Sequence, residues 1–299
     1  MKILVTGASG FLGKSIVEEL EKENLVFSLS RNSKNYKISL EKEVPIFKEE
    51  FEIVIHSAGK AHSIAKTEIQ KKEFYQVNVA GTKNLLTGLE KIVLPKQFVF
   101  ISSVSVYGQE KGNNINESHF LKAKDPYGLS KIEAEKLIEN WCKKNNVVCT
   151  ILRLPLVVGE NPPGNLGAML KAIEKGYYFN IGGGEARKSM VLAEDVAALI
   201  LRVAPVGGIY NLSDGFHPSF NELSLAISKN KNKKKPISLS INLAKFIAKL
   251  GDLLGDKAPI NSLKIKKITS DLTFDDTKAR NVLNWRPQSV IDYLKDNKI

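Results

Sequence analysis

The chain has 299 residues, of which 43% are hydrophobic and 25% are charged, as in an ordinary globular protein. This length suits one large α/β unit or two lobes and is enough to bury a sizeable core. The formal net charge is +12, which fits a polyanionic cofactor or substrate as well as nucleic acid or an anionic membrane. The densest lysine run, residues 229–235, has no interleaved aromatic residues. It is predicted to be a solvated helix end or loop, and no nucleic-acid partner is expected.

The cysteine and histidine content argues against a disulfide framework and a metal site. Cys142 and Cys149 are too far apart for a CxxC motif, and the four histidines are scattered. The first predicted strand begins at Lys2, which leaves no room for a signal peptide, and no run of about 18 apolar residues could span a bilayer. The expectation is therefore a cytoplasmic protein without stable membrane insertion.

One helix-like stretch, Asn242–Leu254, has an unusually apolar side. Its members are Phe246, Ile247, Leu250, Leu253 and Leu254. Such a side could touch a membrane. Packing against the protein's own second lobe is the favoured interpretation.

The first twenty residues indicate a dinucleotide-binding turn. Lys2–Thr6 is a short apolar strand, and an amphipathic helix follows a glycine-rich turn of the form GxxGxxG. Gly7 can take the tight turn, Gly10 lets the backbone approach a pyrophosphate, and Gly13 allows close helix–strand packing. The helix N-terminus then offers N–H groups to the phosphates. The residues predicted to contact the cofactor here are Gly7, Ser9, Gly10, Phe11, Leu12 and Gly13.

The end of the second strand, Leu25–Ser30, bears on the choice of cofactor. An NAD-preferring site normally has an acidic residue there to bind the ribose 2′-hydroxyl, but Ser30 and Arg31 occupy the position. Arginine can pair with a 2′-phosphate, so the sequence favours NADP over NAD. Alternatively, Arg31 stacks on adenine or points into solvent, and either cofactor binds.

A further strand, residues 52–56, ends in Ser57, Ala58 and Gly59, whose small side chains would allow close approach by the nicotinamide ribose. The chain between Arg31 and this strand is short. A crossover helix is therefore expected to be missing or reduced to a loop.

A tyrosine and a lysine four residues apart form the predicted reacting centre. Tyr127 and Lys131 lie on one face of a predicted helix. Tyrosine has a pKa of about 10, and a neighbouring ammonium should lower the pKa of Tyr127 toward neutrality. Ser103, at the end of the strand 97–103, could hold the substrate hydroxyl or carbonyl beside the tyrosine. Ser102 and Ser105 are the alternatives if the strand register differs.

These motifs together resemble an extended short-chain dehydrogenase/reductase of the nucleotide-sugar epimerase/dehydratase group. The resemblance covers nearly the whole chain and rests on Thr6–Gly13, His56–Gly59, Val77–Thr82, Ser102–Gly108, Tyr127–Lys131, Leu152–Pro155, Asn165, Lys188–Ser189, Glu194–Val196, Asp276–Lys278 and Trp285–Pro287. It implies a catalytic Ser103, Tyr127 and Lys131, and cofactor contacts that include Ser102, Asn78 and Pro155. It also implies that Ser103, Ser105, Asn165 and Lys188, or Arg187 beside it, contact the substrate.

The resemblance implies a fold as well. A doubly wound parallel Rossmann sheet is expected over residues 1–160, rejoined by residues 190–212. A smaller C-terminal substrate-binding lobe is expected over residues 161–189 and 213–299. Family members commonly pair through the helices expected at Phe74–Glu90 and Tyr127–Lys144, which predicts a homodimer.

The residues at the end of the strand 97–103 limit the reactions that the protein can be expected to catalyse. Sugar 4,6-dehydratases have Thr-Asp-Glu where this chain has Ser103-Val104-Ser105, and a dehydration needs that additional acid and base. Two reactions at C4 of a nucleotide sugar remain, a 4-epimerisation and a 4-ketoreduction. The sugar nucleotide is expected to be a UDP-hexose of bacterial-type polysaccharide synthesis. Ser30 and Arg31 tip the expectation slightly toward the reductase. A non-catalytic NAD(P)-binding redox sensor is the alternative from a different class.

Overall fold

The computed structural model describes residues 1–61, 65, 67–252 and 261–296. The strands are Lys2–Thr6 (β1), Leu25–Ser30 (β2), Tyr36–Lys37 (β3), Ile53–His56 (β4), Gln97–Ser103 (β5), Gly112–Ile115 (β6), Val148–Leu154 (β7), Leu156–Val158 (β8), Phe179–Ile181 (β9), Met190–Leu192 (β10), Gly208–Asn211 (β11), Ile237–Leu239 (β12) and Leu272–Phe274 (β13). The helices are Phe11–Leu20 (α1), Glu68–Tyr75 (α2), Gly81–Leu89 (α3), Pro126–Asn145 (α4), Gly164–Glu174 (α5), Ala193–Val203 (α6), Phe220–Asn230 (α7), Ile241–Asp252 (α8), Ser262–Ile268 (α9), Thr277–Leu283 (α10) and Val290–Asp296 (α11).

A seven-stranded parallel sheet forms the centre of the molecule, in the order β11-β7-β5-β4-β1-β2-β3. Its middle strand β1 is buried on both faces: Ile3 and Val5 pack on one side, with α1 and α6, and Leu4 packs on the other, with α3 and α4. This is why the strand reads as continuous apolar sequence instead of alternating. The Rossmann-like, doubly wound fold class is confirmed, and parallel pairing brings the carboxyl ends of all seven strands to one edge.

The connection from β3 to β4 contains no helix, as expected from its length. Residues 38–52 instead cover the sheet with an aromatic cluster. The rings of Tyr36 and Phe51 each lie 5.3 Å, centroid to centroid, from the ring of Phe47, and Phe27 lies 5.5 Å from Phe51. These edge-to-face contacts take over the covering role of the missing helix.

Three two-stranded parallel ribbons lie outside the central sheet and pair β8 with β10, β9 with β12, and β6 with β13. Two of these pairings differ from the expected partition of the chain. β6 lies within residues 1–160 but pairs with β13 near the C-terminus, and Met190–Leu192 pairs with β8 instead of returning to the main sheet. The segment 193–211 does return, because α6 packs on α1 and β11 extends the sheet beside β7.

The expected packing of the helix at 242–254 is wrong. The face of α8 that packs inward consists of the small residues Ala244, Ala248 and Gly251. Phe246 is 61% exposed and Leu250 is 54% exposed, because the small side chains bring the helix axis close to its neighbours and turn the large ones outward. Leu253 and Leu254 lie outside the described residues. No helix in the described part of the chain combines the length and apolar character that crossing a bilayer requires.

Candidate active site

The glycine turn between β1 and α1 forms one wall of a cleft of about 810 Å³ at the carboxyl edge of the sheet. Gly7 has a φ of 69°, and its carbonyl accepts a 2.8 Å hydrogen bond from the Gly10 N–H. A Cβ on Gly13 would lie 2.1 Å from the Gly7 oxygen, and one on Gly7 would lie 2.6 Å from the Ala58 nitrogen. Only glycine fits at these two positions.

The first turn of α1 is open to the cleft and suits a pyrophosphate. No side chain caps this helix, and Gly10, Phe11, Leu12 and Gly13 line the cleft. Uncapped N–H groups at a helix N-terminus are an anion site. The chain's residues therefore fit the phosphates of a dinucleotide. Ser9 lies on the far side of the turn, in a second cavity that it shares with Phe11 and Lys14.

The segment after β4 forms the floor beneath the reacting centre. Ser57 and Gly59 line the cleft, whereas the Ala58 N–H donates to the Thr6 hydroxyl at 3.3 Å. Behind them His56 is fixed between the hydroxyls of Thr6, 2.6 Å from Nδ1, and Thr82, 2.8 Å from Nε2. Burial, reinforced by the Lys131 charge, lowers the pKa of His56 to about 3. The imidazole is therefore neutral and structural.

Asn78 supports this floor from behind instead of lining the cleft. It lies in a π-helical turn, Gln76–Ala80, which joins α2 to α3; such turns often occur at functional sites. Its amide nitrogen donates to the Ser130 hydroxyl at 2.8 Å, and its Oδ1 accepts from the Lys60 N–H at 2.7 Å. The residue predicted as a cofactor contact thus ties α4 to the segment after β4.

Ser103, Tyr127 and Lys131 meet in the cleft, as the sequence predicts. β5 ends at Ser103, whose oxygen lies 3.0 Å from the Ser105 hydroxyl. Tyr127 lies in the first turn of α4, which Asp125 caps by accepting from the Gly128 N–H at 3.0 Å. One turn later, Lys131 Nζ donates to the Ile101 carbonyl at 2.8 Å and lies 4.5 Å from the centre of the Phe100 ring. All three residues line the cleft.

The pKa of Tyr127 shifts in the opposite direction to the one that the sequence predicts. Burial raises the pKa of Tyr127, outweighing an interaction with the Ser103 hydroxyl that lowers it. Burial also lowers the pKa of Lys131 to about 8, although the nearby Glu135 raises it. The Lys131 ammonium donates to the Ile101 carbonyl and is not among the groups that shift the pKa of Tyr127. The phenol therefore holds its proton in this state.

A buried ion pair lies beneath the reacting centre and engages one of the neighbouring serines. Glu135 accepts from Arg153 through both carboxylate oxygens, at 2.7 and 3.1 Å. Ser102 donates its hydroxyl to the same carboxylate. Ser102, Ser103 and Ser105 all line the cleft, and the Ser102 hydroxyl is the one that Glu135 engages. Arg153 also donates to the Tyr107 hydroxyl at 3.1 Å.

The other end of the cleft is basic. Asn165, at the start of α5, and Lys188 line it, and Lys188 Nζ donates to the backbone carbonyls of Lys267 and Ser270 at 3.0 and 2.8 Å. Burial lowers the pKa of Lys188. Arg187 instead bonds the His217 carbonyl at 3.0 Å and Glu222 at 3.3 Å, outside the cleft. Of the two basic residues predicted to bind substrate, the structure brings only Lys188 into the site, because consecutive residues of an extended segment point to opposite sides.

The remaining predicted cofactor residues divide between the cleft and its edge. Pro155 lines the cleft. Ser30 is buried, with its hydroxyl 2.7 Å from that of Ser33, and Arg31 is exposed at the end of β2. Neither of these two residues lines the cleft.

Several lining residues were missed by sequence reasoning. Among them are Lys60, Gln109, Glu110, Phe220, Lys267 and Ile268. Lys60 directly follows Gly59 and could have been inferred from that position. Lys267 comes from α9 and forms a 3.4 Å ion pair with Glu110, a long-range meeting that no sequence pattern indicates. Within the described residues, no cluster of three His, Cys, Asp or Glu side chains could hold a metal ion.

Known proteins from several bacteria are similar to this chain in sequence or fold. The chain is 28% identical to the N-acetyl-alpha-D-glucosaminyl-diphospho-ditrans,octacis-undecaprenol 4-epimerase of Escherichia coli O157:H7, over 93% of this chain and 88% of that protein. It is 27% identical to a UDP-glucose 4-epimerase of Vibrio cholerae, over 97% and 92% of the two chains. The crystal structure of the Thermotoga maritima UDP-glucose 4-epimerase with UDP-glucose superimposes with a TM-score of 0.76 at 24% identity, covering 99% of this chain and 96% of that one.

The family model described as the NAD dependent epimerase/dehydratase family matches residues 3–213, most of the chain. The match takes in the glycine turn, Ser103, Tyr127 and Lys131. The chain therefore belongs to the NAD dependent epimerase/dehydratase family of extended short-chain dehydrogenases/reductases.

Proposed function

We propose that the protein is an NAD(P)-dependent 4-epimerase that interconverts the two C4 configurations of a UDP-linked hexose. The observation that carries the proposal is the convergence of Ser103, Tyr127 and Lys131 on the cleft that the glycine turn enters. The curated relatives named 4-epimerases support the same reaction. A cytoplasmic role in polysaccharide precursor synthesis is part of the proposal.

In the proposed mechanism Tyr127 moves the proton at the C4 oxygen. A nicotinamide cofactor bound at the glycine turn would supply the hydride chemistry needed at the C4 carbon. Tyr127 takes the hydroxyl proton in the oxidation and gives it back in the reduction, while Ser103 donates a hydrogen bond to the same oxygen. Lys131, with a pKa of about 8, is mostly cationic at neutral pH. Its charge would favour the phenolate once ligands fill the cleft.

The walls of the cleft would bind the rest of the two ligands. The first turn of α1 would hold the cofactor pyrophosphate, and Ser57, Gly59 and Pro155 would lie against the nicotinamide half. Lys188 and Asn165 would hold the diphosphate of the sugar nucleotide at the basic end.

A net 4-ketoreduction is the second candidate. The exposed Arg31 at the end of β2 is suited to a 2′-phosphate, and NADPH serves net reduction. Dehydration is disfavoured because Ser103-Val104-Ser105 offers no carboxylate, and Glu110 is engaged with Lys267. A redox sensor without catalysis is disfavoured because Tyr127 and Lys131 are both present.

The experiment is the interconversion of UDP-glucose and UDP-galactose, compared with NADPH oxidation in the presence of a UDP-4-keto-sugar. We expect interconversion by the wild type and, for Tyr127→Phe, at least about a 100-fold loss of kcat. Cofactor binding should survive in this variant, because the glycine turn is untouched. NADPH oxidation without interconversion would replace the epimerase by the reductase. Equal activity of Tyr127→Phe would remove Tyr127 from the mechanism.

A homodimer is proposed as the working assembly. α2 and α4 pack against each other and leave three apolar side chains exposed: Ile69 at 73%, Tyr75 at 48% and Leu129 at 49%. A second copy related by a two-fold axis could cover such a surface.

A further inference from the structure

α8 presents its largest side chains to solvent. Leu243, Phe246, Ile247 and Leu250 follow the i, i+3, i+4, i+7 spacing of one helix face and are 48%, 61%, 39% and 54% exposed. We call these four residues the α8 apolar face. Isolated exposed apolar residues are ordinary, but a contiguous helical stripe of them marks an interaction site.

The orientation of the helix is fixed by its opposite side. Ala244 and Ala248 are fully buried and pack with Ile181, Leu239 and Ile265. Asp252, at the end of α8, accepts hydrogen bonds from the Ser262 N–H and hydroxyl at 2.9 and 2.6 Å, which ties α8 to the start of α9. The α8 apolar face therefore belongs to an anchored element.

The surroundings of this face are strongly cationic. Residues 229–252 and 261–268 contain ten lysines and a single acidic residue, Asp252. Two of these lysines, Lys231 and Lys267, form ion pairs with Glu174 and Glu110 from other segments, so the positive charge remains in excess. Lys245 and Lys249, one turn apart on α8, lie beside the apolar stripe, and Lys266 and Lys267 lie on α9. A second copy of the chain would bring the same positive charge against itself. An anionic surface matches the charge instead.

The face also lies close to the mouth of the cleft. α9 packs on α8 through Ile265, and the last residues of α9, Lys267 and Ile268, line the cleft. Whatever the α8 apolar face contacts is therefore one helix away from the basic end of the site.

We propose that the α8 apolar face docks the protein on an anionic phospholipid bilayer. The four apolar side chains enter the interfacial layer, and the flanking lysines lie among the lipid phosphates. This is peripheral binding, and it requires no part of the proposed reaction.

Vesicle co-sedimentation of the full chain tests the proposal. The probes are phosphatidylcholine vesicles with and without about 30% phosphatidylglycerol. We expect binding to the anionic vesicles only, weakened at about 0.5 M salt. The double variant Phe246→Glu/Leu250→Glu should bind them about tenfold less, or more weakly still. Ile46→Glu is the matched control, since Ile46 is 76% exposed but lies in the β3–β4 connection; it should bind as the wild type does.

Two further readouts keep the outcomes distinct. Circular dichroism should show the double variant folded, and its conversion of UDP-glucose in the absence of vesicles should equal that of the wild type. Failure of that conversion in both proteins would count against the proposed function and leave the docking result standing. Equal vesicle binding by wild type and double variant would overturn the docking proposal. So would a wild-type dimer that the double variant dissociates without any vesicle binding, because the occupant would then be a second copy.

Discussion

Lys131 is a residue of the candidate site whose buried charge lowers the free energy of unfolding. The side chain is 5% exposed, and burial lowers its pKa from 10.5 to about 8. Its neutral form is therefore favoured more in the folded chain than in the unfolded chain. At neutral pH the lysine is charged in both states, so the cost of burying that charge is fully present.

We expect Lys131→Met to abolish turnover and yet raise the free energy of unfolding at pH 7 by about 1–3 kcal/mol, because a burial cost of this order disappears with the charge. Denaturant unfolding at several pH values checks this. Between pH 8 and 10.5 the unfolded wild type holds the Lys131 proton more firmly than the folded one, so wild-type stability should rise with pH relative to the variant. A stability difference that grows as the pH rises would contradict the burial argument.

At the scale of elements, α4 carries both the reacting groups and the ion pair beneath them. Its first turns place Tyr127 and Lys131 at the cleft, and the next turn places Glu135 against Arg153 of β7, with both side chains almost fully buried. This pair holds the helix against the sheet below the reacting centre. Removing one member leaves a buried charge without its partner.

Glu135→Gln should therefore lower the free energy of unfolding by about 3 kcal/mol. The matched control is Glu133→Gln, which lies on the exposed side of the same helix and should change it by less than about 0.5 kcal/mol. Chemical denaturation of the two variants makes the comparison. Equal stability of both would mean that the Glu135–Arg153 pair contributes nothing to the attachment of α4.

Much of the fold and site could be predicted at the level of these elements. The strand–glycine–helix order and the Tyr127–Lys131 spacing are local patterns, and each led to residues that line the cleft. Arg187 could not be separated from Lys188, because which of two neighbours enters the site depends on the pairing of an extended segment with distant residues. Lys267 and Glu110 could not be predicted as cleft residues, because their ion pair joins distant segments of the chain. The direction of the Lys131 ammonium depends on the Ile101 carbonyl, which no spacing rule supplies.

At the scale of the whole molecule, the exposed apolar residues of α2 and α4 bear on assembly. The proposed dimer would bury Ile69, Tyr75 and Leu129 and leave the α8 apolar face free. Sedimentation velocity should show a dimer for the wild type and a shift toward monomer for Ile69→Glu, because a carboxylate in an apolar interface is desolvated without a partner. Ile46→Glu, at a similarly exposed site outside these helices, should remain dimeric. A monomeric wild type would reject the dimer.

In α8 the hydrophobic pattern of the sequence predicts the wrong packed face. Its apolar residues were expected to pack inward because hydrophobic faces usually do. The packed side is instead made of alanine and glycine, and small residues at helical spacing give a weaker signal in a sequence than leucine and phenylalanine. The large apolar side chains of α8 are therefore exposed and available for contact with another surface.

The helix-free passage between β3 and β4 has a consequence for redesign. Leu40, Phe47 and Phe51 are buried in one core cluster with leucines of α3. The Leu40 carbonyl also accepts a 2.7 Å hydrogen bond from Asn84 of the same helix, so any replacement of residues 38–52 has to keep these contacts. This segment starts just beyond Arg31, where the adenosine half of a dinucleotide would lie. A change of coenzyme preference would therefore have to be sought at the exposed positions of this segment, such as Lys42 and Lys48, with its buried residues kept.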